Sequence, residues 1–409
     1  MRLLALPAML ALATLQLFAQ GGNAYSVVGL GDSRRSVGAL YDALGGTSIA
    51  IPNDHAINTT NPALLGMSVY SRLQTGYRFS QFVTSENGNS LAQNNGEIDG
   101  LLALFSIDTA LGIGITAGLL PVTSVNFRTS VPLRREFDGR VVEGRSQRSG
   151  DGGVSSVVIG ASVRLLSNVY VGASVQPLFG AITYTDRVTI DGDGSLTMTE
   201  VSNYDTRGLL FRGGLFWKPT PQLGIGLIAV LGAEGSVVNA RRSAAFRPGA
   251  VSFDTVSGSS FPTAIPSTVG LGLSYTLGRI ILAADLERTD YTGINVQPSS
   301  VAISDVANRV SVAVSRQGSS SLSASFTERI GLHAGATYQE GSFTIASSRL
   351  TELSASGGFD FPLGESARID AAITLGTRSG IPGYVSDVFG RFVLTVSIGE
   401  IWFKPFARE

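Results

Sequence analysis

No cysteine occurs in this chain, so neither a disulfide framework nor a thiolate metal site is open to it. Histidine is nearly as scarce, with His55 and His333 alone. Charge is sparse too: 15% of the 409 residues are charged and the net charge is −1, which excludes the basic surface a nucleic-acid binder needs. After the N-terminal residues, no apolar run reaches the ~20 residues of a transmembrane helix. What the chain does have is glycine, 50 residues of it, set within segments of regular alternation. An exported chain without disulfides must draw its stability from some other closed, repetitive, hydrogen-bonded architecture.

Residues 1–24 read as a secretory signal peptide: a positive charge at Arg2, an apolar stretch over 3–18, and small residues at Gly22 and Ala24 suited to cleavage. The competing reading is a membrane anchor. Against it stand the shortness of the stretch and its interruption by Pro7 and Gln16.

From about Met67 to Phe403 the hydrophobic period is two, which argues for strands throughout. In "TVGLGLSYTL" Val269, Leu271, Leu273, Tyr275 and Leu277 oppose Gly270, Gly272, Ser274 and Thr276; "ALGIGITAGLL", "QLGIGLIAVL" and "ARIDAAITLG" repeat the arrangement. A soluble sandwich also alternates, but its polar face carries Lys and Glu. Here the second face is small and sparsely charged, which fits lipid outside and a lumen inside. A sheet that spans lipid must close, because lipid offers its backbone no partners. Short turns at 106–110, 165–169, 218–222, 276–280 and 362–366 alternate with polar stretches at 86–96, 128–152, 187–196, 240–263, 292–305 and 379–388. Short turns on one rim and long loops on the other is the bacterial outer-membrane arrangement. The expectation is an all-β fold: a transmembrane antiparallel β-barrel of about fourteen strands over 67–409, least defined around 305–340. Residues 25–66 lack the alternation and are too long and varied for a free tail. They are expected to form a plug in the lumen, with a short helix near 36–44; a disordered periplasmic leader is the alternative.

The glycine-rich "GALYDALGGTSIAIPNDHAINTTNPALLG", the following strand, "GLLPVTSVNFR", and the C-terminal "ELSASGGFDFPLGESARIDAAITLGTRSG" with "FVLTVSIGEIWF" together resemble the FadL-type outer-membrane transport proteins, in particular a Bacteroidetes-like branch. That resemblance implies an integral outer-membrane barrel with an N-terminal hatch ending in an Asn-Pro-Ala motif, matched here by Asn61, Pro62 and Ala63. It also implies passive uptake of long-chain fatty acids or other hydrophobic molecules, with no cofactor and no catalysis. FadL-like barrels serve secretion as well, so a scaffold or partner in secretion or envelope assembly is the alternative. The chain departs from the usual pattern by running on past Trp402 and Phe403, which leaves Phe403 or Phe406 as the terminal aromatic of an assembly signal.

Pro121 interrupts the third strand. Proline cannot donate to a ladder, so it marks either a break through which the wall opens sideways, as the resemblance implies, or the strand's extracellular extension. The stretch 128–152 carries six arginines, among them Arg134, Arg135 and Arg140, against four acids, and is a candidate for anionic lipopolysaccharide or amphiphiles. Asp191 and Asp193 begin like a calcium loop, but Leu196 and Ser202 occupy the positions that need Gly and Glu, so no metal site is expected. His333 lies on the Gly/Thr face of its strand and is expected to point inward, bonded to lumen polar groups. With no nucleophile-elbow motif and one His per candidate site, hydrolysis is not expected.

Overall fold

The computed structural model describes residues 26, 31–34, 37–86, 89–137, 140–191, 196–247, 250–294, 302–304, 306–319, 323–345, 348–363, 367–379 and 386–401. The signal-peptide, Asp193, Phe403 and Phe406 readings fall outside them. A two-residue β1 (Asp32–Ser33), helix α1 (Ala39–Ala43) and a 3₁₀ helix (Pro62–Met67) precede the sheet. The wall starts with β2 (Ser71–Glu86) and β3 (Asn89–Asp108), then a strand in two parts, β4 (Ile113–Pro121) and β5 (Thr123–Phe137). Three long strands follow, β6 (Arg140–Leu166), β7 (Val169–Ile190) and β8 (Leu196–Trp217). Two more are bent, β9–β10 (Leu223–Gly232, Gly235–Arg247) and β11–β12 (Ala250–Thr263, Ser267–Leu277). Next come β13 (Ile280–Asp290), β14–β15 (Ala302–Ile303, Val306–Arg316) and β16 (Gly331–Ile345). The wall ends with β17 (Ser348–Pro362), β18 (Ala367–Ser379) and β19 (Ser386–Glu400).

With each bent pair counted once, these make fourteen antiparallel strands, and the sheet closes where β19 pairs with β2 from Ser386 opposite Ser85 to Glu400 opposite Ser71. Closure leaves no sheet edge at the seam. Alternation sorts the faces as the sequence predicts. Val269, Leu271, Leu273 and Tyr275 are exposed on the outside, whereas Gly270, Gly272 and Ser274 turn inward.

The stretches 86–96, 128–152 and 240–263 differ from expectation, being continuations of the strands rather than loops. The β2/β3, β5/β6 and β10/β11 ladders run on to Glu86 opposite Asn89, Phe137 opposite Arg140 and Arg247 opposite Ala250. Beyond the apolar belt both faces of a strand meet polar surroundings, so alternation disappears while the ladder continues. The uncertain region near 305–340 holds the one long connection described on the short-turn rim, from Arg316 to Gly331, which carries helix α2 (Phe326–Arg329) with a capping box between Ser325 and Glu328.

Residues 37–67 lie inside the barrel. Helix α1 is wholly buried and packs against β16 to β19, whereas the 3₁₀ helix packs against β3, β4 and β6 to β8. Buried charge holds the segment. The Arg78 guanidinium reaches Asp42 and Asp99, each at 2.6 Å, and Arg309 reaches Glu287 at 2.7 Å and the Gly45 carbonyl. The Asp285 carboxylate accepts the Ser48 and Ile49 amides at 2.7 and 3.0 Å. Removing one member of such a buried set strands the rest. Arg78→Ala is therefore expected to cost about 3–5 kcal/mol, seen as a lower urea midpoint for loss of the compact band in unheated gels. An unchanged midpoint would show that these pairs contribute nothing.

Candidate functional site

Asn61 is the most heavily bonded residue of the Asn-Pro-Ala motif. It is fully buried, its amide Nδ2 donates to the Ile49 carbonyl at 2.7 Å and to Leu215 of the wall at 3.1 Å, and its Oδ1 accepts the Ala63 amide at 3.1 Å. The last bond caps the 3₁₀ helix, and Pro62 at its first position has no amide to satisfy. The wall opposite is glycine by necessity. A Cβ on Gly172 would lie 2.4 Å from the Pro62 carbonyl carbon, and one on Gly214 2.1 Å from Asn61 Oδ1.

His55 belongs to the same segment. Burial, followed by the Arg368 and Arg72 guanidiniums, pushes its imidazole down to about 3, against the opposing pull of Asp360. The sign follows: an undocked His55 titrates near 6.5 and a docked one near 3, so its contribution to docking is complete above 6.5 and is lost as pH falls toward 3. Lowering pH from 7.5 to 5 should reduce the exchange protection factors of residues 47–61 by roughly thirtyfold through this group, and His55→Gln should remove that component. Equal pH dependence in both proteins would refute the assignment.

His333 points inward, its Nδ1 2.9 Å from Ser315 Oγ and its Nε2 2.8 Å from Asp360 Oδ2. These are the residue types of a hydrolase triad. However, the His333 and Asp360 side chains are 3% and 5% exposed, and Asp360 also pairs with Arg368 at 3.1 Å. No substrate carbonyl reaches a serine so enclosed. The three instead tie the neighbouring strands β15, β16 and β17 together on the inner face of the wall.

Pro121 stands where the wall changes phase. Below it Gly114, Thr116 and Leu120 turn inward, and above it Val125 and Phe127 do, so Val122 is an inserted residue. The neighbouring strands bend at the same height. Gly100 has φ +112° beside a register shift in β2/β3, and Gly153 has φ +154° with its Cβ position 2.3 Å from the Thr123 carbonyl oxygen. In consequence the β3/β4 ladder ends at Leu101 opposite Leu119. Among the described residues, the upper part of β3 then pairs with β2 alone, and β5 pairs only with β6 and β1. Side chains span this break: Gln93 donates to the Arg128 carbonyl at 2.8 Å and Asn126 to Asn95 Oδ1 at 3.1 Å. A polar cavity of about 350 Å³, lined by Asn94, Asn95, Arg128, Ser149 and Asp151, lies against it.

On the inner side of the break is a second cavity, of about 270 Å³. One wall is apolar, with Val122, Val154, Leu178, Leu210, Val230 and Ile265 packed together. The other is charged, with Arg34, Glu287, Glu352 and Arg378. Sequence reasoning missed this group. Its apolar members come from six wall strands, each bent pair counted once, and share no local pattern.

The arginine stretch does not assemble a cluster at Arg134, which is exposed and sits 3.6 Å from Glu143. Arg135 and Arg140 are placed on the β5/β6 hairpin, opposite Val142 and Phe137, and their side chains lie outside the described residues. Asp191 directly follows β7, its amide bonded to the Glu143 carbonyl at 2.9 Å. Among the described residues no group of three His, Asp or Glu could hold a metal ion.

The closed fourteen-stranded barrel is a fold shared with FadL-type channels. The toluene transporter TbuX of Ralstonia pickettii superposes with a TM-score of 0.63 at 15% identity, covering 89% of this chain and 98% of its own. A FadL homologue of Pseudomonas aeruginosa gives 0.61 at 13%, covering 91% and 100%, and the toluene transporter TodX of Pseudomonas putida gives 0.57 at 16%, covering 91% and 99%. At such identities the likeness is one of fold, and it does not single out a Bacteroidetes-like branch. No curated protein matches the sequence. The chain belongs to the BamG family, whose family model matches residues 2–406.

Proposed function

We propose that this protein is an outer-membrane channel for hydrophobic or amphipathic small molecules, long-chain fatty acids among them, with residues 37–67 as its hatch. The observation that carries the reading is the cavity with one apolar wall set directly against a break in the barrel wall. The exposed apolar belt supports a lipid surrounding. The solved relatives described as toluene transporters support the ligand class. In this reading a solute enters between the long hairpins, loses water among Val154, Leu178 and Leu210, and leaves sideways at Pro121 and Val122. The chain supplies shape and a dry surface, and no bond is made or broken. Native mass spectrometry of the purified protein, with liposome uptake of labelled fatty acid and toluene, tests it. A barrel that is empty on purification and passes neither solute would end the proposal.

A second reading, a scaffold in secretion or envelope assembly, draws on the ion pairs that fix the hatch at Arg78, Arg309 and Asp285. A hatch so held suits a permanent stopper. Copurification of a stoichiometric partner with a protein that moves no solute would favour it.

A further inference from the structure

The β5 edge left bare by the wall break is occupied at its base by the chain's own leader. Asp32 lies opposite Ser124 and Ser33 opposite Thr123, and the Arg34 amide continues the ladder to the Val122 carbonyl at 2.8 Å. The Arg34 guanidinium crosses to the other lip of the break, pairing with Glu97 and lying 3.8 Å from Asp99, both on β3. Three consecutive residues therefore join the two strands that no ladder joins.

Two strand pairs do not repay the ordering of a chain segment. Charge must hold it there, and the anchor comes from β18, which β19 and β2 separate from β3. Arg378 of β18 grips both carboxylate oxygens of Asp32, at 3.0 and 3.1 Å. Arg378 is itself fixed by the wall. It bonds Glu352 at 2.6 Å and lies 5.3 and 5.9 Å above the Phe389 and Phe82 rings. The guanidinium thus keeps its place whether or not the leader is present, with Nε on Glu352 and Nη2 directed at the Asp32 carboxylate.

We propose that residues 32–34 are the closing element of the side opening and that Arg378 is the residue positioning it. This rests on the channel reading above. Asp32, Arg34 and Arg378 also line the 270 Å³ cavity, so a solute there touches the closing element and its anchor together. Opening requires Asp32 to leave Arg378 and β1 to peel from β5, while the barrel ladders stay intact.

The absence of native cysteine makes the test direct. Directly opposite Cα atoms in an antiparallel pair lie about 4.5–5.5 Å apart, within the span of a disulfide, so Ser33→Cys with Thr123→Cys should lock the segment when oxidised. The locked protein is expected to take up labelled solute at least about tenfold more slowly than the same protein after reduction, with bound solute unchanged. Independently of uptake, Asp32→Asn and Arg378→Lys should each speed amide exchange of residues 32–34 by on the order of tenfold, without moving exchange in the β6 and β7 ladders. Equal uptake in the locked and reduced states overturns the closing role, and unchanged exchange in both variants overturns the role of Arg378. If the wild-type barrel moves no solute, the channel reading falls, and the exchange measurement alone decides whether Arg378 holds the segment.

Discussion

Gly172→Leu is expected to drive residues 61–63 from their seat and turn a closed barrel into an ion-conducting one. The clash is with backbone, the Pro62 carbonyl 2.4 Å from where a Cβ would stand, so no rotamer change relieves it. The bonds from Asn61 to Ile49 and Leu215 cannot form with the motif displaced. Overpacking costs ~1–3 kcal/mol and each buried group left without its partner a further ~1–3 kcal/mol, enough to favour the undocked state. Gly213 is the control: it belongs to the same strand as Gly214, and a Cβ there meets only the Ala229 oxygen, at 4.0 Å. Planar-bilayer recordings should show conductance steps for Gly172→Leu and none for Gly213→Leu, with both barrels retaining heat-modifiable mobility. Silence from Gly172→Leu would mean that the Asn-Pro-Ala motif does not keep the lumen shut.

Leu210→Trp addresses the cavity in place of the hatch. Leu210 packs beside Val154, Leu178 and Val230 in the apolar wall of the 270 Å³ space, and an indole there occupies the volume a solute would use. Occupancy by a hydrophobic ligand should fall by at least about tenfold, equivalent to ~1.4 kcal/mol, with the folding midpoint nearly unchanged because the added ring enters empty space. Titration followed by native mass spectrometry reads this. Undiminished occupancy would place the ligand elsewhere and remove the observation on which the channel reading stands.

The barrel was legible because lipid and lumen make opposite demands on alternate residues, and β12 records both in "VGLGLSYTL". The small inner face was legible too, but its cause was not. At Gly172 and Gly214 the absence of a side chain serves the inserted segment and not an open lumen. The Asn61 cap and the Pro121 break follow local rules and could be read from a few neighbouring residues. The anchoring charges could not be. Asp32 and Arg378 are 346 positions apart, and nothing in the spelling of either segment names the other. Polarity misled where the hairpins rise past the apolar belt, since composition reports the surroundings of a strand and not its ladder.

The seam sets an order of events. β2 meets β19, so the cylinder cannot shut until residue 400 has been made, although the inserted segment comes immediately before β2. That segment touches β3, β4 and β6 to β8 through its 3₁₀ helix and β16 to β19 through α1. It therefore spans the two margins of the still-open sheet, and the wall closes around it like a mould around its core. The earliest-made part of the interior is thereby also the part that touches both margins.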